Sequence, residues 1–199
     1  PATARRGENI YRFIFRAIVN EHVDAWKIER NRSKRNKTSL LGLNNRMITG
    51  YFRSICLTIF SYIIGGFSGI MVFMIFALIS KALLEVINYT EHYGLVRVEG
   101  QPVKPRHSWN SNSVISSIYL YNVTRHSSHH EKAHLKYWEL KPYDKAPKMP
   151  QGYLSMLYMA LFLPHFFHKI MSKKLIDWDK NFASEEELEL ALAQNKSSG

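Results

Sequence analysis

The sequence predicts an all-α, integral-membrane protein: a helical bundle with one transmembrane hairpin, plus cytoplasmic and interfacial helices that carry a histidine cluster. Three observations support this fold class. Residues 45–89 are almost continuously apolar, the chain before them is strongly basic, and three histidines fall within residues 126–130.

The 199 residues are enough for one domain. The chain begins with Pro1, without an initiator Met, and ends at Gly199 without a recognisable terminal element, so both ends are interpreted as cuts. The expected single domain, 1–199, is therefore incomplete at its N-terminus. Its predicted parts are a basic amphipathic helix and loop (1–44), a transmembrane hairpin (45–91), a histidine-bearing cytoplasmic part (92–150), and interfacial and C-terminal helices (151–199).

The single cysteine, Cys56, limits the possible metal chemistry. A disulfide scaffold, a zinc ribbon and a fused iron–sulfur or rubredoxin-type carrier all need more thiols. Any metal must therefore be bound by His, Asp or Glu. Charged residues from Arg5 to Arg12 argue against a cleavable signal at this end of the chain.

The net charge of +11 would suit a nucleic-acid binder, but its distribution does not. Residues 1–53 contain 12 Lys and Arg against 4 Asp and Glu, and the next 27 residues, 54–80, carry no charge. A membrane protein with a basic cytoplasmic flank has both features, so we expect no nucleic-acid partner.

Residues 8–30 predict an amphipathic helix, because apolar residues recur there at helical spacing. These residues are Ile10, Phe13, Ile14, Ala17 and Ile18. We expect this helix to lie on the inner face of the membrane. Residues 30–37 follow as a predicted basic loop, which marks the cytoplasmic side.

The apolar stretch 45–89 is too long for one membrane helix, which would measure about 67 Å, roughly twice the hydrocarbon thickness of a bilayer. Two helices of about 20 residues joined at Gly65-Gly66 fit instead. Both open ends of the hairpin then emerge on the basic, cytoplasmic side. Polar residues appear as the second helix leaves the membrane, where they usually mark a site: Lys81, Glu85, Asn88, Glu91 and His92.

The remainder of the chain predicts loops and shorter helices. Residues 94–113 form a loop, a helix follows from Val114 to Tyr137, and residues 144–151 form a proline-rich loop. The apolar run 154–167 is too short to span a membrane and predicts an interfacial or packed helix. Ser184-Glu-Glu-Glu187 predicts a capping box that opens a short terminal helix.

The histidine cluster predicts a metal site. His126, His129 and His130 occupy positions i, i+3 and i+4, so on a helix three imidazoles project to one side. Imidazole binds iron, copper, nickel and zinc alike, so the spacing does not identify the metal.

Other histidines are not predicted as ligands from their positions. His22 is expected to be solvated, His134 lies one turn beyond the cluster, and His165 and His168 flank an apolar segment. His107 is undecided, because its loop could fold back over the site.

Several motifs resemble those of the membrane-bound alkane 1-monooxygenases and the related xylene monooxygenases. Asn88-Tyr-Thr-Glu-His-Tyr-Gly-Leu-Val-Arg97 resembles their NYxEHYGLxR signature, and His107-Ser-Trp-Asn110 resembles the loop that follows it. Arg125-His-Ser-Ser-His-His130 is similar to their third histidine box, normally RHSDHH, with Ser128 in place of the acidic residue. The similarity continues at residues 1–8, 137–140, 146–150 and 177–179.

The resemblance implies a non-haem centre with two iron ions. The family's iron ligands fall on four residues of this chain: His92, His126, His129 and His130. Two further histidine boxes are expected before Pro1, so this chain alone is not expected to be active. Candidates for holding the ligand rings in place are Glu85, Asn88, Glu91 and His107.

The resemblance also implies an activity: hydroxylation of the terminal methyl group of alkanes to primary alcohols. It implies O2 as oxidant and electrons from a rubredoxin-type carrier with its reductase. Membrane lipid and an apolar hydrocarbon substrate would surround the site. The expected location is the inner membrane of a bacterium, as a multi-pass protein whose metal site faces the cytoplasm.

Other functions stay open. Within the same superfamily, the substrate could be xylene or another alkyl-aromatic, and a fatty-acyl desaturase or hydroxylase is a further alternative. Residues 175–179, followed by an acidic helix, lean towards the xylene branch. From other classes, a non-catalytic basic membrane protein and a zinc-dependent membrane hydrolase remain.

Overall fold

The computed structural model describes residues 3–131, 134–143 and 146–196, and within those ranges it contains helices and loops but no β-strand. The predicted all-α fold is confirmed. The helices are α1 (Ile10–Asn36), α2 (Arg46–His92), α3 (Val114–Tyr119), α4 (His126–Glu131), α5 (Tyr153–Phe162), α6 (Pro164–Asn181) and α7 (Glu185–Lys196). Parts of the predicted helix 114–137 and loop 144–151, and both chain ends, lie outside the described residues.

The chain forms two compact units. One contains the described residues of 3–14 and 86–199, and the other contains Phe15–Glu85. Every residue of the histidine cluster belongs to the first unit, and the apolar hairpin apart from its last turns belongs to the second.

Helix α1 continues past residue 30, so the predicted basic loop at 30–37 is wrong. Lys and Arg are good helix formers, and Lys34 and Arg35 lie in the last turn, where cations interact favourably with the helix dipole. The helix ends at Lys37, which has φ 51°. The N–H of Thr38 donates to the carbonyl of Ser33 at 3.0 Å, which is the long hydrogen bond of a Schellman cap.

Helix α2 contains the predicted reversal at the glycine pair. The helix breaks at Gly66, whose φ of 58° and ψ of −146° belong to a region that is essentially reserved for glycine. Beyond the break, the backbone of Gly69 approaches the carbonyl of Ser61. Two residues eight apart in one continuous helix would be about 12 Å apart. The two arms of α2 therefore fold back on each other.

The surface of α2 is apolar and exposed. Its most apolar 18-residue window has a mean hydropathy of 2.4, and only 11% of that window is buried. Among the described helices, α2 is the one that is long and apolar enough to cross a membrane. A core helix of a water-soluble protein would bury such a surface, whereas lipid covers it without help from the chain.

The single helix predicted from Val114 to Tyr137 is wrong, because α3 and α4 are separated by a turn. Tyr121 and Asn122 have φ values of 48° and 59°, which end any right-handed helix. The hydroxyls of Ser117 and Thr124 lie 3.1 Å apart across this turn. Short polar side chains of this kind compete with helical hydrogen bonds, which accounts for the interruption of the predicted helix.

The C-terminal part contains three helices. Pro164 starts α6 immediately after α5, so the apolar run 154–167 is divided between two helices. The predicted cap is confirmed: Glu187 accepts from the N–H of Ser184 at 2.9 Å, and its own N–H donates to the Ser184 hydroxyl at 3.3 Å.

Aromatic packing joins α6 to the end of α2. Phe167 lies between Tyr89 and Tyr93, with ring centroids 5.5 and 5.1 Å away. Tyr89 donates its hydroxyl to the carbonyl of Glu8 at 2.7 Å and accepts from Nε2 of His168 at 2.9 Å. This fully buried cluster fixes the helical turn that precedes His92.

Candidate metal centre

Three histidines from two helices converge in the first unit. His92 is the last residue of α2, and His126 and His130 lie one turn apart on α4. Their candidate ligand nitrogens all lie within 4.8 Å of one another. The ring of His126 is 5.0 Å from that of His92 and 4.3 Å from that of His130, between centroids.

The ring of His92 has a fixed tautomer. Its Nδ1 lies 3.1 Å from the backbone carbonyl of His107, which can only accept, so Nδ1 carries the proton. Nε2 is then left with a lone pair, and it lies 3.2 Å from Nε2 of His126. Two nitrogens bound to one ion at about 2.1 Å would be separated by about 3.0–3.4 Å, so this spacing suits a shared cation.

The third imidazole, that of His130, indicates whether a metal ion fits this site. Nε2 of His130 is buried and has no hydrogen-bond partner among the described residues. A buried polar atom without a partner is costly, and a metal ion would satisfy it. Burial, followed by the neighbouring histidines, lowers the pKa of His126 to about 2 and that of His130 to about 4. Both rings are therefore neutral at neutral pH, which is the form that binds metals.

Glu91 lies beside these rings. One of its carboxylate oxygens, Oε2, is 3.2 Å from Nε2 of His126. The other oxygen, Oε1, is buried without a hydrogen-bond partner among the described residues, as is the hydroxyl of Tyr153. Oε1 and this hydroxyl still interact with each other, so Glu91 is a buried carboxyl group beside the imidazoles and does not by itself require a cation.

Glu85 and Asn88 lie further back along α2. Glu85 is fully buried and pairs with Lys81, which also binds Glu21 at 2.7 Å. The i, i+4 pairing of Lys81 with Glu85 is therefore present, and Glu85 has a structural partner within the second unit. Asn88 is half-buried, one turn before His92.

The other histidines are placed differently. His129 is exposed, with its ring centroid 5.7 Å from that of His126, so it does not join the converging group and remains a ligand predicted from the resemblance. His134 is exposed. His22 hydrogen-bonds to the hydroxyl of Tyr51 at 2.7 Å, and His168 stacks on Tyr93.

The loop after α2 folds over the histidines. The N–H of Trp109 donates to the carbonyl of Glu91 at 2.8 Å, and its indole N–H donates to the carbonyl of Tyr93 at 2.9 Å. His107 itself offers only its backbone, because its Nδ1 accepts from the N–H of Lys104 at 3.0 Å and its Nε2 lies 2.7 Å from Glu187. Both ring nitrogens are engaged, so His107 orients His92 through its carbonyl.

Ser127 joins this loop to α4, a role that was not predicted from the sequence. Its hydroxyl donates to the carbonyl of Pro105 at 2.6 Å and accepts from Ser108 and from the side-chain amide of Asn110. The hydroxyl is fully satisfied and fully buried. A serine between two histidines carries no helical-face signal that would have identified this role.

A small cavity opens beside the cluster. Its volume of about 40 Å³ leaves room for a molecule of the size of water or dioxygen. His92 and His130 form one wall, and Leu95, Val96 and Val103 supply apolar atoms.

Comparison with known proteins gives the family. A family model for fatty acid desaturases matches residues 1–167. The chain is 33% identical to alkane 1-monooxygenase 1 of Pseudomonas aeruginosa, over 98% of this chain and 51% of that protein. It is 34% identical to the xylene/toluene monooxygenase hydroxylase component XylM of Pseudomonas putida, over 99% and 53%. Against the alkane 1-monooxygenase of Ectopseudomonas oleovorans the identity is 33%, over 89% and 45%.

The chain spans about half the length of these curated relatives. The matched residues include α1, α2 and the whole histidine cluster. By the extent of this match, the chain belongs to the fatty acid desaturase family.

Proposed function

We propose that this chain is part of a membrane-bound, non-haem di-iron monooxygenase that converts the terminal methyl group of an alkane to a primary alcohol. The observation that carries the proposal is the convergence of His92, His126 and His130, with the Nε2 atom of His130 left unsatisfied. The names of the relatives, which are alkane and xylene monooxygenases, supply the reaction class.

The overall reaction uses O2, two electrons and two protons, and releases the alcohol and water. Iron bound at the histidines would supply the oxygen activation that a strong C–H bond requires. The residues of this chain bind and orient: His92 is held by the His107 carbonyl, and His126 and His130 are held by α4. Two ions need more ligands than these three, and the exposed His129 is available for the second.

The membrane setting follows from α2. In this proposal its two arms cross the membrane and both open ends are cytoplasmic, because the basic residues before the apolar stretch favour that side. An alkane would dissolve in the lipid around such a hairpin, which makes the membrane the source of the substrate. In this proposal the protein is in the inner membrane of a bacterium, and an acidic rubredoxin-type carrier delivers electrons to the basic cytoplasmic face.

Residues 175–179, whose sequence leans towards the xylene branch, also have packing roles, so they do not decide between alkane and xylene by themselves. Trp178 donates its indole N–H to the carbonyl of Arg106 at 2.7 Å, and Asp179 pairs with Arg6 through two hydrogen bonds. Their presence is explained without reference to a substrate.

The test is product analysis with the complete protein in a host that lacks other hydroxylases. Octane should give 1-octanol and the purified protein should contain iron, and His126→Ala should abolish the product and lower the iron content. Faster turnover of xylene to the benzylic alcohol would move the substrate to the xylene branch. Zinc in place of iron would favour the hydrolase, and an iron-free, active lipid binder would favour the non-catalytic alternative. If high salt leaves reduction by rubredoxin unchanged, electrostatic steering of the carrier is wrong.

A further inference from the structure

The turn at Pro105–His107 connects α4, α6 and the ligand His92 through consecutive backbone carbonyls. Each carbonyl accepts a hydrogen bond from a different element: Pro105 from the Ser127 hydroxyl (2.6 Å), Arg106 from the Trp178 indole (2.7 Å), and His107 from His92 Nδ1 (3.1 Å). The position of this turn therefore sets the orientation of the His92 ring.

The side chains of the same turn are bound by one residue of the C-terminal helix. Glu187 on α7 accepts from Nε and Nη2 of Arg106 at 2.9 and 3.0 Å. Its Oε1 lies 2.7 Å from Nε2 of His107. Because Nδ1 of His107 accepts from the Lys104 N–H, the proton of that ring is on Nε2 and is donated to Glu187.

Glu187 is itself held in one orientation. The N–H of Ser184 donates to its Oε2 at 2.9 Å, so four donors surround one carboxylate whose side chain is 2% exposed. Capping the helix needs only the contact with Ser184. The two preceding glutamates, Glu185 and Glu186, are exposed, so Glu187 alone of the three faces the turn.

We propose that Glu187 is a positioning residue for the metal ligand His92, acting through His107 at a distance of about 80 residues in sequence. The carboxylate fixes the side chain of His107, the backbone of His107 fixes the proton of His92 on Nδ1, and Nε2 is thereby aimed at the metal. This inference rests on the proposed metal centre. It gives the C-terminal acidic helix a part in the iron site, although the family match ends before it.

The test is Glu187→Gln in the complete, iron-loaded protein. Glutamine keeps the size but places an amide N–H₂ among donors, so the carboxylate contacts with Arg106 and His107 cannot all be kept. We expect iron loss to a chelator to be about tenfold faster, as for other residues that orient metal ligands. The Mössbauer or absorption spectrum of the iron should also change.

Two variants separate positioning from general stability. Glu186→Gln removes an exposed charge in the first turn of α7. It should leave the rate of iron loss and the spectrum as in the parent protein. Ser184→Ala removes the helix cap but leaves the contacts of Glu187 with Arg106 and His107. It should lower the melting temperature with little effect on the spectrum.

The outcomes distinguish the two proposals. A spectral change and faster iron loss in Glu187→Gln alone support the positioning role. Parent-like iron loss and spectrum in Glu187→Gln, or an equal change in Ser184→Ala, overturn it while the metal centre stands. A parent protein that binds no iron overturns both.

Discussion

A β-carbon added to Gly69 would clash with the backbone carbonyl oxygen of Ser61. The clash is with backbone, which cannot move aside as the tip of a side chain can. The close approach exists because the chain reverses at Gly66, and it brings the backbones of the two arms of α2 together at Gly69.

Gly69→Ala should therefore destabilise the hairpin by about 1–3 kcal/mol, the usual effect of overpacking. Gly65→Ala is the matched control, since nothing lies within 4 Å of a β-carbon at that position and its φ is ordinary. The measurement is thermal unfolding in detergent. Equal melting temperatures for the two variants would contradict the close approach.

The ligand set can be tested by counting iron. Alanine at His92, His126 or His130 should remove at least one of two irons, because each supplies a nitrogen to the converging group. His134→Ala, at an exposed position, should leave the iron content unchanged. His129→Ala should also lose iron if the assignment from the resemblance is correct. Full iron content in that variant would remove His129 from the ligand set and leave the other three.

Ser127→Ala should destabilise the first unit by about 1–3 kcal/mol. The substitution leaves the carbonyl of Pro105 and the amide of Asn110 buried without this partner, and unsatisfied buried groups cost about that much. Ser172→Ala is the control, because that hydroxyl bonds to its own helix at the surface. Ser127→Ala should have a lower melting temperature than Ser172→Ala. If the two melting temperatures fall equally, the Ser127 hydroxyl does not hold the loop on α4.

Ser128→Asp restores the acidic residue that the family's third histidine box carries. Ser128 is buried and makes one long contact, accepting from the N–H of Lys141 at 3.3 Å. Nε of Arg125, three residues earlier, is buried without a hydrogen-bond partner among the described residues. A carboxylate here can accept from both, so we expect a higher melting temperature than for Ser128→Asn, which lacks the charge. A lower melting temperature for Ser128→Asp than for Ser128→Asn would show that the site does not accommodate a carboxylate.

Acid should selectively weaken the contact of α7 with the turn. Burial alone would raise the pKa of Glu187, but the donors from Arg106, Ser184 and His107 outweigh it and lower the pKa to about 2. The ordinary value is 4.5, so the stabilisation is present above pH 4.5 and lost as the pH falls towards 2. The metal-free parent should exceed Glu187→Gln in melting temperature at pH 6, and the gap should narrow by pH 3. An equal difference in melting temperature at pH 6 and pH 3 would contradict this pH dependence.

Local features of the fold were predictable because they depend on neighbours in sequence. The spacing of His126 and His130, the glycine pair in the apolar stretch and the cap at Ser184 all follow from the period of a helix or the conformation of a few residues. Where local signals conflicted, prediction failed. Residues 30–36 were predicted to be a loop because they are basic, although they extend α1. The turn after α3 was predicted to be part of a helix.

The sequence alone determined that the chain carries an apolar hairpin and a cluster of histidines at helical spacing. Only the tertiary structure decided which of them meet, because His92 and His126 are 34 residues apart and join through packing between α2, the 105–110 loop and α4. The local sequence around Glu187 predicts only a helix cap. Its contact with His107, 80 residues away, is found only in the tertiary structure. Hydrogen bonds between distant segments produce no periodic pattern in a sequence, so these partners can be identified only in the folded chain.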